Sequence, residues 1–270
     1  MGGTTSKYDA LKLLELYDGD IDKAIAALRQ AAIKEPQRPA YDVPVDAPVV
    51  VKMENVSKKY KLGSERVSAL KNISISIRQG EFVAITGTSG SGKSTMLQLI
   101  GGLDKPSEGT VLIDGQNVRK MNDRKLSVLR NQTIGFVFQF FYLQPFLNTQ
   151  ANLEVPGMFA RTPRRLRIKK ARELSSAVGL SDRLLHLPKE LSGGQMQRAA
   201  IARALFNEPK ILLADEPTGN LDQENSKAII ELFKTVREKF GTTIVIVTHD
   251  QTIAAQADRE IKLEDGILLT

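Results

Sequence analysis

The sequence predicts an α/β fold, with a mostly parallel sheet carrying helices on its faces. Two observations predict it. Short apolar runs without polar alternation, Phe82-Val83-Ala84-Ile85, Ile211-Leu212-Leu213-Ala214 and Thr243–Thr248, have the length and character of strands buried on both faces. Longer helical stretches separate them, and strands alternating with helices imply parallel pairing. Two further β-rich segments, Val49–Val56 and Ile73–Ile77, cluster or alternate apolar residues as strands do. Residues 143–190 turn helical and basic, which predicts a separate lobe inserted between the strands.

At 270 residues the chain can hold one full core and a small appendage. Its 41% hydrophobic and 26% charged content is that of an ordinary globular protein. No apolar run approaches the ~18 residues of a transmembrane helix. The N-terminus has no charged-then-apolar leader pattern, so export is not expected. The absence of cysteine excludes a disulfide framework and any Cys-ligated metal.

The net charge of +7 is unevenly spread, because residues 1–47 carry six basic and eight acidic side chains. A basic remainder fits a solvated face plus a phosphate-binding site; nucleic acid or anionic lipid are the other readings. The basic segment 161–172 stays open between lipid contact and a solvated helix face.

The N-terminal part reads as its own unit. Residues 7–33 predict two short amphipathic helices, with Leu11, Leu14 and Tyr17 on one and Ile21, Ala24, Ile25 and Leu28 on the other. Gly19 breaks between them and Asp20 is placed to cap the second. This small helical appendage, 1–33, resembles ubiquitin-associated-like helices such as those of elongation factor Ts. It either packs on its own domain or docks a protein partner. Pro36, Pro39, Pro44 and Pro48 mark residues 34–48 as an extended linker, leaving 49–270 as the main domain.

Two motifs carry chemistry directly. Gly87-Thr88-Ser89-Gly90-Ser91-Gly92-Lys93-Ser94-Thr95 fits the G-x-x-x-x-G-K-[ST] phosphate loop, set between an apolar strand and a predicted helix. Its glycines let successive backbone N–H groups turn inward toward phosphate oxygens at a helix N-terminus. Lys93 adds a point charge for the β- and γ-phosphates, and the Ser94 hydroxyl is placed to ligate Mg²⁺. The second motif is the pair Asp215-Glu216, which ends the apolar run Ile211–Ala214. At the carboxyl edge of a parallel sheet both carboxylates reach the ligand crevice. Asp215 would orient Mg²⁺ through water, and Glu216 would polarise the attacking water.

With Leu191-Ser192-Gly193-Gly194-Gln195 added, residues 49–270 resemble the nucleotide-binding domain of ABC transporters. That implies a P-loop NTPase of ABC type, with an antiparallel β subdomain and an α-helical subdomain at about 143–205. A Ser hydroxyl, small glycines and a helix N-terminus favour anionic charge. In the family, this motif faces the γ-phosphate of ATP bound to the opposite subunit.

The resemblance extends to single residues. Tyr60 resembles the aromatic that stacks on adenine, its alternative being a core strand aromatic. Gln139, after Ile134–Phe138, resembles the glutamine that touches Mg²⁺ and relays nucleotide state to the membrane subunit. Asp222 resembles the aspartate that couples the two sites, and His249 the switch histidine at the γ-phosphate. Gly101–Gly109 and Ala214–Asp222 resemble the branch serving lipoprotein release, macrolide export and cell division.

The resemblance therefore implies ATP hydrolysis with Mg²⁺ in an ATP-sandwiched homodimer. It also implies a separate transmembrane permease and a peripheral place on the cytoplasmic face of the inner membrane. An ABC ATPase working on nucleic acid or ribosomes is the rival. Paired cassettes, long coiled coils and Cys-rich zinc modules, which mark such relatives, are missing from this sequence.

Overall fold

The computed structural model describes residues 43–269, except 45 and 64. The expected helices at 7–33 and most of the linker at 34–48 lie outside the described residues.

Two sheets organise the remainder. The first is antiparallel, in the order β2-β1-β4-β5, from β1 (Val49–Leu62), β2 (Glu65–Arg78), β4 (Glu108–Ile113) and β5 (Gln116–Asn117). The second, in the order β10-β9-β3-β8-β7-β6, contains β3 (Phe82–Gly87), β6 (Ile134–Phe138), β7 (Ile211–Asp215), β8 (Thr243–Val247), β9 (Arg259–Glu264) and β10 (Ile267–Leu269). Its pairings are parallel except for the final hairpin, β9 with β10.

The apolar strands are continuous because both faces of this sheet are covered. Val83, Ile85, Leu213, Val245 and Val247 point into one core, shared with the antiparallel sheet and with α1 (Lys93–Ile100) and α2 (Asp123–Thr133). Phe82, Ala84, Leu212, Ile244 and Ile246 point into the other. That second core is closed by α3 (Thr149–Phe159), α4 (Arg164–Ala177), α5 (Gly193–Ala204) and α6 (Gln223–Phe240). Fully burying each Val, Leu, Ile or Phe contributes about 1.5–3 kcal/mol, so the alternation along three central strands binds both layers to one sheet. A one-turn helix, α7 (Gln251–Ala254), follows β8.

The strands β1 and β2 each run 14 residues, well past the expected Val56 and Ile73 limits. Register shifts around Val56 and Lys58 let them bend, and Asn55 and Asn72 take left-handed φ of 50° and 51° there. The polar run Ser57-Lys58-Lys59 stays in the ladder because Ser57 and Lys59 lie on a face open to solvent, while the buried Lys58 is paired with Asp104.

One buried ion pair fastens the layers. The Arg237 guanidinium of α6, 2% exposed, pairs with Asp258 and donates from Nε to the Gly80 carbonyl at 2.7 Å. Asp258 also accepts the Phe82 N–H at 2.9 Å, so it ties the start of β3 to the start of β9. Removing one partner leaves a buried charge uncompensated, at about 3–5 kcal/mol. Asp258→Ala is therefore expected to lower the melting temperature by roughly 6–12 °C in a calorimetric scan. A fall of only a degree or two would show that water replaces the carboxylate.

Candidate functional site

Strand register gathers the site. Ile85 of β3 lies opposite Val247 of β8, Val247 opposite Asp215 of β7, and Asp215 opposite Phe138 of β6. The four strands end in one row, so Gly87, Gln139, Glu216 and His249 all leave the sheet at the same carboxyl edge. This is where ligands sit in open α/β sheets.

At that edge the chain curls from β3 into α1. Gly87 has φ 145°, and a β-carbon there would lie 2.1 Å from the Leu263 carbonyl oxygen of β9, so any larger residue would push the strands apart. The helix starts at Lys93 with neither a side-chain cap nor an acidic residue in its first turn. Its first N–H groups are thus left for an anion, with the dipole's positive end behind them. Lys93 Nζ bends back to donate to the carbonyls of Gly87 (2.9 Å) and Thr88 (2.7 Å). Thr88, Ser89, Gly90 and Ser94 face solvent, while the Ser91 hydroxyl is buried without a hydrogen-bond partner. Gly266, in the turn between β9 and β10, donates its N–H to the Ser91 carbonyl at 3.0 Å and braces the loop from behind.

The carboxylates sit beside the loop. Burial, then the neighbouring Glu216 charge, pushes the Asp215 carboxyl above its ordinary range, while the Ser94 hydroxyl and the Lys93 charge pull it back. Burial and the Glu216 charge thus outweigh the positive charge nearby, and hard oxygen donors (the Ser94 hydroxyl and the Asp215 carboxylate) stand together, the donor chemistry that suits Mg²⁺.

Glu216 adopts a left-handed φ of 47°, a conformation costing about 1–2 kcal/mol for a residue with a β-carbon. Its N–H, donating to the Val247 carbonyl at 3.0 Å, holds it there. This turn swings the side chain toward His249, whose Nδ1 lies 2.9 and 3.0 Å from the two carboxylate oxygens. That hydrogen bond and the Glu216 charge raise the His249 pKa. A cleft of about 510 Å³ opens beside the pair, lined also by Gly219, Leu221 and Asp250.

Gln139 joins through its backbone: the Asn220 side-chain amide donates to its carbonyl at 3.0 Å. Tyr60 comes from the other sheet and reaches the end of the phosphate loop, where its hydroxyl meets Thr95. The same hydroxyl donates to Asp104 at 2.9 Å, and burial followed by that carboxylate raises its pKa. Lys58 Nζ bonds Asp104 at 2.6 Å and lies 4.9 Å from the Tyr60 ring centroid, covering one face of the ring.

Ser192, Gly193, Gly194, Gln195 and Asp222 form a second cluster. The Gln195 N–H donates to the Ser192 hydroxyl at 3.3 Å and the Ser192 N–H to the Gln195 side chain at 2.9 Å, a reciprocal cap on α5. A β-carbon on Gly194 would fall 2.2 Å from the Asn225 side-chain oxygen, so this first turn packs against α6. Asp222 caps α6 by accepting from the Asn225 N–H at 2.8 Å, and the hydrogen bonds from Asn225 hold its carboxyl below the usual range. Among the described residues, no hydrogen bond joins Ser192–Gln195 to Gly87–Thr95.

Four contributors escaped the sequence reading. Gly266 had a usable signal, since Asp265-Gly266 between two apolar segments is a hairpin dipeptide. Asp104 and Asn220 carry none, because their partners come from distant segments, and the contact of Asn225 with Gly194 likewise joins helices far apart in sequence.

A family model described as "ABC transporter" matches residues 70–219. The uncharacterized ABC transporter ATP-binding protein YknY of Bacillus subtilis is 46% identical over 217 residues, covering 80% of this chain and 94% of its own. A counterpart from Thermotoga maritima is 48% identical, with 80% and 92% covered. The macrolide export ATP-binding/permease protein MacB of Brucella melitensis is 45% identical over 82% of this chain, which spans only 34% of that protein. The solved structure of the ATP-binding cassette MJ0796, dimeric in a post-hydrolysis state with ADP and Pi, superposes with a TM-score of 0.75 at 46% identity, covering 82% of this chain and 97% of that one. The chain belongs to the ABC transporter family, as an ATP-binding cassette that hydrolyses ATP.

Proposed function

We propose that this chain powers a separate membrane permease by closing as a homodimer around two ATP molecules. The observation that carries the reading is that, among the described residues, no hydrogen bond joins Ser192–Gln195 to the phosphate loop. The phosphate loop and the carboxylates share one sheet edge, whereas Ser192–Gln195 cap a helix whose contacts run to Asp222 and Asn225. A second copy brings its Ser192–Gln195 to the exposed phosphate loop of the first, and Asp222 lies at the joint. The dimeric state named for the MJ0796 cassette supports this.

Each chain contributes defined parts. The loop amides of Gly87–Thr95 and the Lys93 ammonium receive the phosphates. The free face of the Tyr60 ring, opposite Lys58, takes the adenine. Ser94, Asp215 and Gln139 would hold Mg²⁺, which when bound neutralises charge on the phosphate oxygens. Glu216 takes the proton of the attacking water, and His249 orients Glu216 before the γ-phosphate engages it.

Among the described residues no helix is long and apolar enough to cross a membrane. We assign the chain to the cytoplasmic face of the membrane, with the permease meeting it near Gln139 and the exposed Phe140, Tyr142 and Phe146. The MacB likeness supports the lipoprotein-release or macrolide-export branch. In this reading 49–270 is the motor, with its helical lobe at about 143–205, and 1–33 is an appendage on the linker 34–48.

Glu216→Gln is expected to bind ATP normally and lose about 10²–10⁴-fold in turnover, accumulating as a dimer in size-exclusion chromatography with ATP. Near-normal turnover would remove Glu216 from its role. Lys93→Ala should lose most of its ATP affinity by calorimetry, and unchanged binding would contradict the assignment.

The His249–Glu216 pair sets a pH dependence. Because the His249 pKa is raised, the charged pair is lost as pH rises through that value. NMR titration of the nucleotide-free chain should show His249 titrating above an ordinary histidine, with the shift abolished in Glu216→Gln. An unshifted wild-type titration would mean the pair does not form.

A further inference from the structure

The helical lobe ends in a corner whose chemistry the ATP site does not use. Between Val155 and Arg172 the sequence carries seven basic residues and no acidic one. Three of the seven are committed locally: Arg167 to the buried Glu154 (3.3 Å), Lys169 to Glu173 (3.8 Å) and Lys170 to Glu208 (2.5 Å). At the turn from α3 to α4, Arg161, Arg164 and Arg165 are exposed and make no ion pair among the described residues. Interleaved with them, Met158, Phe159 and Leu166 are 46%, 79% and 54% exposed.

This corner is built rather than loose. Arg167 Nη1 donates to the Thr162 carbonyl at 2.8 Å, and the N–H groups of Leu166 and Arg167 both reach the Pro163 carbonyl at 3.0 Å. The Thr162 N–H returns to the Gly157 carbonyl at 2.9 Å, closing a Schellman turn at the end of α3. The residue at the left-handed position of such a turn is ordinarily glycine, yet here it is Arg161, with φ 57°. A guanidinium is kept where glycine would be less strained.

We propose that the α3–α4 corner is a docking surface for anionic phospholipid, with the arginines at the headgroups and Phe159, Met158 and Leu166 entering the interface. The argument is charge complementarity joined to apolar exposure. Cations alone would suit a solvated face, and aromatics alone a protein, but bulky apolar side chains framed by unpaired arginines match the boundary of a negatively charged bilayer. An acidic protein surface would not need a side chain as apolar as Phe159 left so open. The inference rests on the membrane placement proposed above, but it concerns lipid directly, so the two can fail separately.

The test is co-sedimentation of the full chain with vesicles of phosphatidylglycerol and phosphatidylcholine against phosphatidylcholine alone, at ~0.15 M salt. Binding is expected only to the anionic vesicles. Arg164→Gln/Arg165→Gln should weaken it about tenfold or more. Arg119→Gln/Arg124→Gln, an equal charge change at exposed positions elsewhere, should leave it near wild type. Phe159→Ser should also weaken it.

Arg161→Gly guards against misfolding: it should hold or raise the melting temperature, keep basal ATPase activity, and still lose lipid affinity. No binding to anionic vesicles, or equal losses in the patch and control variants, would overturn the proposal. So would patch variants that bind vesicles normally but fail to co-purify with a membrane subunit, which would give the corner to protein.

Discussion

Everything at the site depends on the in-register parallel pairing of β3, β8, β7 and β6. Parallel strands bring equivalent ends together, and here the row Ile85, Val247, Asp215 and Phe138 sets where each following loop begins. The register is protected by burial on both sides. A slip of one residue would exchange the side chains of Val83 and Ile85 with those of Phe82 and Ala84 between two differently shaped cores. The catalytic geometry is therefore a by-product of apolar packing several residues below it.

On that platform the site gathers charge that repels itself. Asp215 and Glu216 are adjacent in sequence, and burial makes their mutual repulsion stronger. Lys93, the Ser94 hydroxyl and His249 offset it in part, and the left-handed turn at Glu216 points the two carboxylates along different paths. A divalent cation beside Asp215 and an anion at the loop would each relieve part of what remains. The chain's own groups thus offset the repulsion only in part, which suits the site to a charged ligand.

Legibility in the sequence followed locality. The phosphate loop was readable because its glycines, lysine and hydroxyls act within nine consecutive residues, and Asp215, Glu216 and His249 because each directly follows a buried strand. Ser192 and Gln195 also reveal themselves locally, as the two ends of a helix cap. The Tyr60 tether could not be read, because Lys58 and Asp104 meet only after β1 folds over the end of α1. The full length of β1 and β2 was hidden for a different reason. Their outer halves are polar, and only the ladder itself shows that Ser57 and Lys59 remain paired.

The brace from Gly266 to Ser91, with Leu263 pressed against Gly87, has a consequence for how the molecule comes into being. The phosphate loop emerges from the ribosome complete in sequence, yet the strand that shapes its back wall is made only after β8. Until β9 and β10 arrive, the nascent chain shows the motif without its support, and β3 presents an open edge where a partner strand belongs. The cassette cannot hold nucleotide in its finished geometry before β9 and β10 have been made. ATP binding then reports that β9 and β10 have joined the sheet.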